Sequence, residues 1–116
     1  MHQFKQLGIW KKSRLLCSKI YNITATFPSE EKFGITNQLR RASVSIPSNI
    51  AEGSSRNSNK DFARFLEIAI GSAYEVETQL LISSDLGFIT EENTIELANL
   101  LEEIIKMTSR FRATLL

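Results

Sequence analysis

The chain has 116 residues, 42% apolar and 23% charged, with a formal net charge of +1. These values fit one globular domain over residues 1–116 with a modest core, and they exclude a disordered polyelectrolyte. The low net charge also argues against a strongly basic nucleic-acid binder.

The first helix is expected over residues 5–26. Ile9, Leu16, Ile20, Ile23 and Phe27 follow helical spacing, with Trp10 and Cys17 beside them and Lys11, Lys12, Arg14 and Lys19 on the other positions. Phe27-Pro28 ends it, because the residue before proline avoids helical angles. Ser29-Glu30-Glu31 then reads as a cap with acidic first-turn residues, opening a second helix over residues 29–52. Its apolar stripe is Ile35, Leu39, Ala42, Ile46 and Ile50. Pro47 removes one amide and crowds the Ser43 carbonyl, so a kink is expected there, and Gly53 is read as the stop.

A third helix follows over residues 58–86, capped by Ser58 with Asp61 three positions on. Phe62, Leu66, Ala69, Ala73, Val76 and Leu80 keep an alternating four- and three-residue spacing, the seam of a helix packed in a bundle. Phe65, Ile68, Ile70 and Leu81 widen that surface, which predicts several neighbours. At 1.5 Å per residue this helix is about 43 Å long, so the domain is elongated. Thr90-Glu91-Glu92 caps a fourth helix over residues 90–113, whose seam is Leu97, Leu101, Ile104, Thr108, Phe111 and Leu115. No segment alternates with period two between hairpin turns, so no strand is assigned. The fold class is all-α: an elongated, antiparallel up-down-up-down four-helix bundle.

Charge is unevenly spread. Residues 1–64 carry 11 Lys and Arg against 4 Asp and Glu, and residues 65–116 carry 3 against 9. One reading is complementarity between neighbouring helices, with opposite fields that largely cancel at a distance; the other is a dedicated basic face. No run of 18 apolar residues exists, so no membrane span is expected. Cys17 is the sole cysteine, which forbids an internal disulfide and suits a reducing compartment. The N-terminus lacks an apolar signal core, and a cytoplasmic location is expected.

The residue inventory argues against catalysis. His2 is the only histidine and lies at a terminus expected to fray, so His-dependent triads and His-rich metal sites are lacking. Phosphate-loop and dinucleotide glycine patterns are missing too. Cys17, on an apolar face, reads as core filler. No catalytic residue, cofactor or metal is expected.

Two polar constellations stand out. Gln38, Arg41, Ser45, Asn49 and Glu52 form a stripe down the second helix, and Ser72, Glu75 and Gln79 form one down the third. The stripes are expected to face each other or a neighbouring subunit, through a network that includes Arg41 and Glu75. That network either fixes register or lines a ligand site. The second constellation is Lys11, Lys12, Arg14, Arg40, Arg56, Lys60 and Arg64, candidates for a phosphate-binding face, with Ser54, Ser55, Asn57 and Asn59 as additional donors. Aromatic residues do not interleave closely with most of these charges, so base stacking is not indicated.

The segments SIPSNIAEGSSR, DFARFLEIAIGSAYEVETQLL and DLGFI, with FPSEEKFGITNQLRRA upstream, resemble a four-helix bundle family. It includes the intervening-sequence proteins encoded within bacterial 23S ribosomal RNA genes. The accessory variability proteins of diversity-generating retroelements are similar in fold. The likeness reaches back to the Trp10 region and covers nearly the whole chain. It implies an antiparallel bundle, a homopentamer, a bacterial source and no catalytic residues. It also implies a nucleic-acid-binding role of the kind proposed for more basic relatives. A ring suits the surplus apolar surface of the third helix and the opposite charges of the two halves. The expected function is therefore a non-enzymatic, oligomeric bundle that binds RNA or DNA through a basic face built from the first helix and residues 56–64. The alternative is a protein-interaction scaffold without nucleic-acid affinity, its charge asymmetry used in assembly.

Overall fold

A computed structural model describes residues 2–116. A 3-10 turn, Phe4–Gln6, leads into α1 (Gly8–Thr24); a second, Ser29–Glu31, precedes α2 (Ile35–Ser54); α3 (Asn59–Asp85) and α4 (Glu91–Thr114) complete the chain. No strand occurs among the described residues.

Both long seams pack as their spacing requires. Phe62, Leu66, Ala69, Ala73, Val76 and Leu80 are buried, as are Leu97, Leu101, Ile104, Thr108 and Leu115, with Phe111 partly so. They meet Leu16 and Ile20 of α1 and Leu39, Ile46 and Ile50 of α2 in one core. Each fully buried Leu or Ile contributes about 1.5–3 kcal/mol relative to exposure. Ser58 caps α3 by accepting from the Asp61 amide at 3.1 Å, and Thr90 caps α4 from the Asn93 amide at 3.1 Å. Gly87, at φ +78°, turns the chain after α3, a conformation glycine adopts without a Cβ clash.

Each helix packs on its sequence neighbour and α4 returns to α1, while the backbones of the diagonal pairs lie farther apart. Adjacent helices run antiparallel. Lys12 meets Glu103 where Lys19 meets Glu96, Gly53 lies against Phe62 and Phe65 where Ser45 bonds Ser72, and Arg112 reaches back to Ala63. The bundle measures 43 × 24 × 20 Å.

Four boundaries differ from expectation. Extended backbone at Leu7 (φ −74°, ψ 128°) delays α1 to Gly8, and α1 stops at Thr24 so that Phe27 can fold inward beside Phe88 (ring centroids 5.6 Å apart). Ser29 opens only a 3-10 turn. Gly34 leaves helical geometry (φ −104°, ψ −122°), and α2 begins at Ile35. Gly53 is not a stop but lies inside α2, buried. A Cβ there would stand 2.6 Å from Phe65 Cβ and 2.8 Å from Phe62 Cδ1, so its lack of a side chain sets the α2–α3 approach.

α2 stays helical through Pro47. Proline offers no amide to the Ser43 carbonyl, and the Cys17 thiol of α1 donates to that carbonyl at 3.1 Å. Cys17 therefore does more than fill space: it satisfies the acceptor that Pro47 frees. Burial pushes its thiol pKa up, so the protonated donor form is favoured. Cys17→Val is expected to cost about 1 kcal/mol. In a Pro47→Ala background, where an amide returns to Ser43, that cost should shrink in urea-unfolding double-mutant cycles. Equal costs in both backgrounds would dissolve the link.

Candidate nucleic-acid interface

The starts of α1 and α3 and the ends of α2 and α4 meet at one end of the bundle. His2 lies against Phe62 and Phe111 there (centroids 5.2 and 5.4 Å), packed between rings rather than frayed. The topology brings Lys5, Lys11, Lys12, Arg14, Arg56, Lys60, Arg64, Arg110 and Arg112 to this half, against Glu52, Asp61, Glu67 and Glu103. The opposite half receives Glu30, Glu31, Glu75, Glu77, Asp85, Glu91, Glu92 and Glu96 against Lys19, Lys32, Arg40 and Arg41. Folding converts a charge difference between chain halves into one along the long axis.

The seven candidate cations separate into distinct roles. Lys11, Lys60 and Arg64 are exposed and have no carboxylate within 4 Å among the described residues. Lys12 pairs with Glu103 at 2.9 Å, an exposed bridge of small net value. Arg56 pairs with Glu52 at 3.2 Å and lies over the Phe65 ring, 4.7 Å from its centroid. Arg14 lies over Trp10 at 5.4 Å. Arg40 does not join the group. Its Nε donates to Thr24 Oγ1 at 2.9 Å and its guanidinium covers Tyr21, tying α2 to the far end of α1. Ser54 and Ser55 spend their hydroxyls on the carbonyls of Ala51 and Glu52, both at 2.6 Å, and so close α2.

Arg110 is exposed, free of carboxylates among the described residues, and belongs to this end. Sequence spacing alone does not group it with Lys11 and Lys60; the topology brings all three to the same end. Lys11, Lys12, Lys60 and Arg64 have no ring beside them among the described residues, in line with the expectation for most of these charges, but Arg14 and Arg56 do. Trp10–Arg14 is an i,i+4 pair on one helix, a signal present in the sequence; Arg56–Phe65 forms across the α2–α3 turn and was not legible.

The polar stripes meet over a shorter span than expected. Ser45 and Ser72 hydroxyls bond at 2.8 Å, and Asn49 Nδ2 donates to the Ser45 carbonyl and hydroxyl at 2.8 and 3.0 Å. Gln79 Nε2 donates to Glu75 Oε1 at 3.4 Å, leaving its buried Oε1 without a partner. Gln38, Arg41 and Glu75 sit on the solvent side of an open α2–α3 groove of about 490 Å³, which also holds the exposed Phe33. Arg41 and Glu75 form no ion pair within the chain, since water reaches both, and Glu52 turns to Arg56 instead.

A cleft of about 260 Å³ between α1 and α4 contains one cation and one carboxylate, Lys19 and Glu96, already paired at 3.0 Å. No helix of the described residues is long and apolar enough to cross a membrane, and no three His, Cys, Asp or Glu side chains gather there where a metal ion could be held.

The model of a family described as 23S rRNA-intervening sequence protein matches residues 5–110. One similar solved structure is that of a protein with unknown function from the S23 ribosomal protein family of Bacteroides thetaiotaomicron. It is 28% identical, covers 90% of this chain and 97% of its own, and has a TM-score of 0.83. No curated protein matches the chain.

Proposed function

The chain belongs to the 23S rRNA-intervening sequence protein family, and we propose that it is a non-catalytic, cytoplasmic bundle that assembles as a homopentamer and binds RNA or DNA phosphates at its basic end. The observation that carries the reading is the segregation of charge along the 43 Å axis. The screening length at physiological salt is about 8 Å. A phosphate at the basic end therefore responds to Lys11, Lys60, Arg64 and Arg110, not to the acidic end, and the net charge of +1 is a poor guide. The family's description ties it to an intervening sequence of ribosomal RNA, which makes RNA the first ligand to test. Amine acetylation provides that test. RNA should protect Lys11 and Lys60 and leave Lys32, at the opposite end, unchanged; protection that ignores the two ends would sink the reading.

Self-assembly draws support from the outer face of α3. Gly71 lies mid-helix, where glycine costs about 1 kcal/mol relative to alanine, and a Cβ there would meet nothing within 4 Å. No contact among the described residues explains this glycine. Ile68 and Tyr74, three residues to either side, are 49% and 54% exposed, a face for close approach by another copy. Gly71→Gln should keep or raise helicity while weakening assembly at least tenfold in sedimentation experiments. Unchanged assembly would remove this face from the interface. The scaffold alternative gains from the same face, and it predicts salt-sensitive assembly with no RNA affinity.

A further inference from the structure

The cations of the basic end are of two kinds. Lys11, Lys60 and Arg64 are exposed chains that suit phosphate from many directions. Arg56 and Arg14 are different. Arg56 lies over Phe65 at 4.7 Å, with its edge held by Glu52 at 3.2 Å. Arg14 lies over Trp10 at 5.4 Å, a ring whose side is braced by Phe4 at 5.2 Å. A guanidinium is planar, its position is restrained when it is held over a ring, and both arginines stay exposed. Such a plane is a stacking surface for a nucleobase. Bases inside a duplex already stack on both faces, whereas unpaired bases are open to it.

We propose that the basic end takes single-stranded nucleic acid, with unpaired bases stacked on Arg56 and Arg14 and the adjoining phosphates on Lys11, Lys60 and Arg64. This rests on the nucleic-acid reading above and names the form of the ligand. Lysine in place of Arg56 keeps the charge and the reach to Glu52 but loses the plane, so it separates stacking from phosphate contact.

The test compares an oligouridylate, an abasic strand of equal length and an RNA duplex of equal charge, all at low salt with the full chain. The oligouridylate should bind about tenfold tighter than the abasic strand. Arg56→Lys should lose about tenfold on the oligouridylate and less than about twofold on the other two. Fluorescence of Trp10, the single tryptophan, should be quenched by the oligouridylate and not by the abasic strand. Arg14→Lys gives a second, independent reading of the same loss. Equal affinity for all three ligands, with no base-dependent loss in either variant, would overturn the stacking proposal and leave phosphate binding intact. No binding of any ligand would overturn both.

Discussion

Gly53→Val is expected to destabilise the folded chain by about 3 kcal/mol, the upper end for overpacking a closed core. The first atom of any side chain at this position would lie 2.6 Å from Phe65 Cβ. That neighbour is fixed to the backbone and cannot swing aside, so α2 and α3 must separate. Separation opens the contacts of Phe62, which is 2% exposed. It also moves Phe65 under Arg56, so the basic end loses its order along with stability. Native domains hold only about 5–15 kcal/mol in total, and the melting temperature should fall by roughly 12 °C. Gly53→Ala should cost less, because alanine returns about 1 kcal/mol of helix propensity. The contrast with Gly71, where a Cβ meets open space, is a check on the cause. If urea midpoints show alanine equally tolerated at 53 and 71, close approach is not what Gly53 provides.

Reversing Lys11, Lys60 and Arg64 together to glutamate should weaken RNA binding by about 10²–10³-fold, equivalent to about 2.7–4 kcal/mol. None of the three has an ion-pair partner among the described residues, so folding stability should change little. The slope of log affinity against log salt should flatten by roughly 3 if each contacts one phosphate. Lys32→Glu, at the opposite end, should leave binding unchanged. A loss shared equally by Lys32→Glu would point to net charge rather than to a located interface.

The sequence carried the fold because its seams are local. The alternating spacing of Phe62 to Leu80 and of Leu97 to Leu115 names the buried face of each helix without any knowledge of its partner. Caps at Ser58 and Thr90 are legible for the same reason, each being a bond within one turn. What failed depended on distant parts of the chain. Gly53 looked like a terminator because its neighbours on α3 are invisible until the helices cross. Arg40 was grouped with the basic residues by type alone, although antiparallel packing sends it to Thr24 and Tyr21. The charge imbalance is legible between chain halves, but only the topology re-sorts it between bundle ends. Arg41 and Glu75 are expected in a network between the two helices or with a neighbouring subunit, and within the chain they line one open groove.

RNA affinity of the wild-type chain at low and near-physiological salt, with the assembly mass recorded on the same samples, decides whether one end of this bundle is a nucleic-acid surface despite a net charge of +1. Binding by an assembled particle of unchanged mass is expected, with affinity falling steeply as salt rises. An intact assembly that shows no affinity even at low salt would contradict the nucleic-acid reading and leave the scaffold reading in its place.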